Sequence, residues 1–186
     1  MSKLASAKTF GGVGSILMLV APLIPAIGTA LALAGLVLVF VAVKYISDEI
    51  KDQEVFKNFL ISFIFSVVAF IIAGVLLVAG IFGSLVNIAN PVSALATFIG
   101  SLILAFIALW IVLILSAVFL RRSYNSISVK TKVEMFETTA TFYLIGSVLI
   151  IVLIGLIILF IAMVLQIVAF FSLPEALETP TQEIQK

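Results

Sequence analysis

Gln166, Ser15 and Ser147 are the side chains best placed to do chemistry, because each puts a hydrogen-bonding group inside a long apolar run. An amide or hydroxyl in an apolar medium must find a partner. Gln166 is predicted to hydrogen-bond across helices, a contact worth about 1 kcal/mol in lipid. Ser15 and Ser147 each follow a glycine, Gly14 and Gly146. Their functional reading is a shared polar site; the plainer one is a hydroxyl bonding its own helix backbone. Thr29, Ser62, Ser66, Ser101 and Ser116 complete the polar set at depth. No Asp, Glu, Lys or Arg stands near the middle of a run, which argues against proton-coupled transport, voltage sensing and intramembrane acid–base catalysis. Passage of a neutral or lipophilic solute is left open.

The missing residue types exclude more. The chain has no Cys and no His. Disulfides, thiol nucleophiles, imidazole bases, haem ligation and typical zinc sites are therefore absent. No catalytic group, cofactor site or metal site is expected. Gly11-Gly12-Val13-Gly14 is glycine-rich but follows no strand, so it is not a nucleotide loop. A net charge of +1 gives no basis for nucleic-acid binding.

These residues need helices in a membrane to position them. Of 186 residues, 64% are apolar and 10% charged, against about 45–50% and about 25% in soluble domains. The charges form four clusters: Lys3 and Lys8; Lys44 to Lys57; Arg121 to Glu137; and a tail from Glu175 to Lys186. Between them lie uncharged blocks at 9–43, 58–120 and 138–174. A membrane span takes about 20 apolar residues, so each block is read as a hairpin of two. The fold class is all-α, a polytopic transmembrane helix bundle of six spans. The approximate spans are 9–22, 25–46, 56–82, 93–120, 132–153 and 156–172, with a polar tail at 173–186. The alternative is five spans, with 138–172 as one helix.

Pro22 and Pro25 mark the first turn, Gly83, Asn87, Asn90 and Pro91 the second, and Gly155 alone the third. Thr131 to Glu134 reads as a capping box for the fifth helix. Six spans put both termini and every Lys and Arg on one side, taken as cytoplasmic. Lys3, Lys8, the apolar run and Ala30-Leu31-Ala32 have the outline of a secretory signal, but the run is too long and no polar domain follows.

The first and last hairpins share a pattern. Thr9, Phe10, Gly14, Ser15, Leu17 and Val20 match Thr141, Phe142, Gly146, Ser147, Leu149 and Val152; Gly28, Val37, Leu38, Val41 and Ala42 match Gly155, Val164, Leu165, Val168 and Ala169. The offsets, 132 and 127, differ by the turn that holds the prolines. Both copies start on the same side, which makes this a parallel repeat.

Gly28, Gly35 and Ala42 lie seven apart, as do Gly155, Ala162 and Ala169. That spacing keeps small residues on one face, where helix backbones approach closely. These seams serve the bundle, a homo-oligomer or a membrane-protein partner. Lys44 and Tyr45, and Arg121, Arg122 and Tyr124, are read as interfacial anchors, their cations snorkelling to the headgroups of membrane lipid. The acids Asp48, Glu49, Asp52 and Glu54 are read as solvated loop charges. Trp110 sits mid-span and should bond its N–H to a neighbour.

Three stretches carry a family resemblance: Gly11-Gly12-Val13-Gly14-Ser15, Val41-Ala42-Val43-Lys44-Tyr45-Ile46-Ser47-Asp48, and Tyr143 through Leu173. In that order they make the chain resemble an archaeal and bacterial family of small integral membrane proteins catalogued only as a domain of unknown function. The resemblance implies a prokaryotic, archaeal plasma-membrane protein. It carries no ligand or functional residue. The functional expectation is a non-enzymatic structural or partner-binding membrane subunit, with a small transporter or pore as the alternative.

Overall fold

A computed structural model describes residues 2–176; tail residues Glu178, Glu183 and Lys186 lie outside the described residues. The order is α1 (Lys3–Val20), a 3-10 turn (Ala21–Leu23), α2 (Gly28–Glu49), α3 (Gln53–Val86), α4 (Pro91–Thr131), α5 (Met135–Leu149), a second 3-10 turn (Ile150–Val152) and α6 (Ile154–Phe171). No strand occurs among the described residues. Six helices are long and apolar enough to cross a membrane.

Helix ends follow local chemistry. Ser2 caps α1 by accepting from the Ala5 N–H, and Asp52 accepts from the Glu54 N–H at the start of α3. α2 ends with Lys51 left-handed at φ 53, and the Asp52 N–H reaches back to the Ser47 carbonyl at 3.0 Å, a Schellman closure. The proline turn closes through the Ile24 N–H to Ala21 and the Gly28 N–H to Ile24.

Several expectations are corrected. α4 runs past 120 to Thr131, and the Thr131 hydroxyl donates to the Ile127 carbonyl behind it. Thr131 therefore ends α4 and is no cap for α5. The segment 138–172 is not one helix, because the chain reverses where Leu153 adopts φ 63. Gly155, which marked the third turn, lies just past it in α6. It is needed for space, since a Cβ there would strike the Gly146 carbonyl and the Ile150 backbone.

The residues form two compact units. The first holds Met1–Phe56, Tyr124–Thr139 and Ala162–Lys186. Its core contains Leu4, Val39, Val43, Ile46, Ile127 and Leu173, all essentially without exposure. Tyr124, Phe136 and Phe170 form an edge-to-face chain, with centroids 5.4 and 5.3 Å apart. Phe170 fills the space beside Gly11, and Phe171 that beside Gly12.

The second unit holds Lys57–Ser123 and Ala140–Ile161. Within it α3 and α4 run antiparallel in contact: Ser62 meets Ser116, Phe65 stacks on Phe119 at 5.5 Å, Gly80 receives Ser101, and Gly83 faces Thr97.

Candidate functional site

Gln166 and Ser15 come together in the first unit. α6 carries the amide, α1 the hydroxyl, and Gln166 Nε2 donates to Ser15 Oγ at 2.9 Å. Both residues are buried. Ser15 thus bonds across helices, where self-bonding was the plainer expectation. Its repeat partner differs. Ser147, in the second unit, donates to the Tyr143 carbonyl of its own helix. At the 127-residue offset Gln166 aligns with Val39, so the repeat supplies no second amide.

The small residues also part ways between the copies. Gly28, Gly35 and Ala42 are all buried, as are Gly155, Ala162 and Ala169. In the first hairpin a Cβ on Gly14 would come 2.6 Å from the Gly35 carbonyl, so α1 and α2 touch backbone to backbone there. In the second hairpin the same glycine position, Gly146, meets Gly155 instead. The shorter turn returns the chain about two helical turns sooner. Gly28 is pressed against the Ala21 carbonyl.

The second unit carries its own polar cluster. Ser116 Oγ donates to the Ser62 carbonyl at 2.8 Å and lies within hydrogen-bonding distance of Ser62 Oγ and Ser66 Oγ. Sequence reading named these serines but not their meeting, because α3–α4 register is invisible until the turn length is known. Trp110 Nε1 donates to the Val148 carbonyl at 3.1 Å.

The charged end of the first unit is more organised than solvated loops. Lys44 Nζ lies 2.7 Å from Asp48, Lys130 lies 2.9 Å from Asp52, and Lys3 approaches Asp48 at 4.0 Å. The hydrogen bond from Lys44 holds the Asp48 carboxyl below its ordinary range; desolvation opposes this, and the charges of Lys44 and Lys3 and a bond from Gln53 add to it. Ser2 Oγ donates to the Glu175 carbonyl, which sets both ends of the described chain side by side.

The anchors divide. Tyr45 is half-buried beside Phe10, Lys44 lies over the Phe56 ring, and Arg122 lies over Phe119. Arg121 keeps a buried Nε with no partner. Tyr124 departs from the anchor reading: it is fully buried against Phe136 and has no surface for a headgroup.

A cavity of about 400 Å³ lies at the proline turn, between Met18, Pro22, Pro25 and Thr29. Another, of about 390 Å³, is lined by Lys130, Lys132 and Ser172. Among the described residues no three His, Cys, Asp or Glu side chains gather closely enough to hold a metal ion. The arrangement can join helices through internal hydrogen bonds.

The chain is 35% identical over 178 residues to the uncharacterized protein MJ1644 of Methanocaldococcus jannaschii, a match covering 95% of this chain and 97% of that protein. No solved structure matches. A family model described as "Protein of unknown function (DUF996)" matches residues 31–164, and with the long archaeal match this places the chain in that family.

Proposed function

We propose that the chain is a non-enzymatic structural protein of a prokaryotic plasma membrane, acting through contact with lipid or with another membrane protein. The observation that carries this reading is the 2.9 Å bond from Gln166 to Ser15. The most polar group at depth is spent inside the protein, where a transport site would turn it toward a cavity. The serine cluster of Ser62, Ser66 and Ser116 supports the same reading, since its hydroxyls bond one another and the Ser62 carbonyl. The charged side is assigned to the cytoplasm by its Lys and Arg, which carries both termini with it. The small-residue seams serve helix packing within the chain.

Purified protein in liposomes tests the reading. No ion or neutral solute should pass, and an associated copy or partner, or a stable lipid shell, should survive mild detergent. Protein-dependent flux would overturn it. A second reading, passage of a lipophilic solute, draws support from the apolar cavity beside Pro22 and Pro25. Flux lost on filling that cavity with Ala32→Phe would favour it. Single cysteines at Ser2 and Asn87, probed with an impermeant thiol reagent in intact cells, test the sidedness: only Asn87→Cys should label.

A further inference from the structure

The cavity of about 390 Å³ at the charged end of the first unit is built where three chain segments meet. α4 brings Lys130 and Thr131, the link to α5 brings Lys132 and Val133, and the stretch after α6 brings Ser172 and Pro174. Its volume falls among those of small-molecule sites, about 300–1,000 Å³. The apolar run of α6 continues to Phe171, so the cavity begins where a helix able to span a membrane stops.

The lining offers cations and acceptors together. Among the described residues it holds the ammonium groups of Lys130 and Lys132 and no carboxylate; Glu134 and Glu175, their neighbours in sequence and in the chain after α6, are exposed and lie outside it. The 2.9 Å pair with Asp52 engages Lys130 from one side, and an ammonium carries three N–H groups. The hydroxyls have already given their protons away: Thr131 Oγ1 donates to the Ile127 carbonyl and Ser172 Oγ to the Val168 carbonyl, each at 2.8 Å. A hydroxyl has one proton to give, so both oxygens are left to accept from a ligand. A bare anion would use the lysines and leave the hydroxyls idle. A ligand that joins a negative charge to an O–H or N–H of its own would use all four.

Lys132 stands where glycine would be easier. It follows α4 directly and is left-handed at φ 57, in a place where helices usually take glycine because an L-side chain is strained there. Lys51 is likewise left-handed just past α2, at φ 53, but does not line this cavity. Both lysines are exposed. They share charge and backbone strain and differ in the cavity, which makes Lys51 a matched control for Lys132.

We propose that this cavity binds a phosphate ester that also carries a hydroxyl or amine, with the phosphate oxygens on Lys130 and Lys132 and the donor group on the oxygens of Thr131 and Ser172. A glycerophospholipid headgroup has both parts, and the cavity stands at the end of a membrane-long helix, the level that headgroups occupy. A soluble phosphate ester shares the chemistry. This deepens the structural reading above and rests on it for contact with lipid.

The test uses the full chain in delipidated detergent micelles, with bound lipid counted by native mass spectrometry and melting followed in parallel. Phosphatidylglycerol should bind more tightly than phosphatidylmethanol, which has the same charge but no donor in its headgroup, and phosphatidylcholine should bind least. Lys132→Gly removes the ammonium and relieves the backbone, so it should melt no lower than wild type without lipid. It should bind phosphatidylglycerol at least about fivefold more weakly, the factor expected for one cation at a membrane surface. Lys51→Gly should leave binding unchanged. Ser172→Ala should shrink the preference for phosphatidylglycerol over phosphatidylmethanol, a readout that stands even if Lys132→Gly fails to fold. Equal losses in Lys51→Gly and Lys132→Gly would overturn the site in favour of diffuse attraction, and so would a full preference kept in Ser172→Ala. sn-Glycerol 3-phosphate alone is the second arm. Saturable binding of it that Lys132→Gly abolishes, with no lipid bound, would keep the site and make its source soluble; binding of neither ester would overturn it. Solute flux in reconstituted vesicles reads separately: flux with the lipid preference intact would sink the structural function and leave the phosphate site standing.

Discussion

The ring of Phe170 occupies the space that any side chain at position 11 would need, so Gly11 is what allows α1 and α6 to meet. Phe170 cannot move aside freely, because Phe136 holds it edge to face at 5.3 Å. The close approach is a property of the pair.

Gly11→Ala should therefore destabilise by about 1–3 kcal/mol, the usual cost of overpacking. Gly74 is the control, since nothing lies within 4 Å of a Cβ built there. Gly74→Ala should leave stability unchanged or raise it by up to about 1 kcal/mol. Thermal unfolding of both in one detergent separates a local collision from a general effect of glycine loss.

Leu153 holds φ 63, a conformation that costs an L-residue about 1–2 kcal/mol. Leu153→Gly should recover roughly 1 kcal/mol of that strain. Gly155→Ala, two residues on, should lower stability, because its methyl would strike the Gly146 carbonyl. Opposite shifts in melting temperature are expected; a loss in Leu153→Gly would show that its side-chain contacts outweigh the strain.

A double-mutant cycle of Gln166→Leu and Ser15→Ala should report a coupling of about 1 kcal/mol, as interhelical bonds in membranes do. Gln166→Leu with Ser147→Ala should be additive, because Ser147 bonds its own helix. Coupling between 166 and 147 would contradict the bonding described.

The Asp48 carboxyl is held below its ordinary range, first by the hydrogen bond from Lys44. A depressed carboxylate stabilises the fold fully above its unfolded value of about 3.9 and loses that contribution as pH falls through the lower folded value. Stability of the wild type should be flat from neutral pH to about 5 on this account. Asp48→Asn should then flatten part of the decline seen below about 4. Melting curves across that window, for both proteins at equal salt, check the sign.

Where the charges stand decided most of what could be read in advance. Lys44, Arg121 and Glu137 are costly in hydrocarbon, so the uncharged runs they bound were read as hairpins. Gln166 was conspicuous for the same reason, and its partner Ser15 was on the short list. Three left-handed residues escaped notice: Lys51, Lys132 and Leu153 are none of them glycine, and nothing local marks a leucine for that conformation. Tyr124 misled because a tyrosine beside two arginines reads as a boundary residue, while its burial depends on Phe136 arriving from another helix. The aspartates misled likewise. Asp52 meets Lys130 across a long stretch of sequence, a pairing that only the folded register creates.

The contact between Gly14 and Gly35 has one more consequence. Side chains close in around the touching backbones: Leu38 and Val39 lie against Gly14, and Leu17 and Met18 against Gly35. The spacing and the register of α1 and α2 are therefore held at the same point. The two glycines act as a latch, and sliding one helix along the other would drag all four side chains with it.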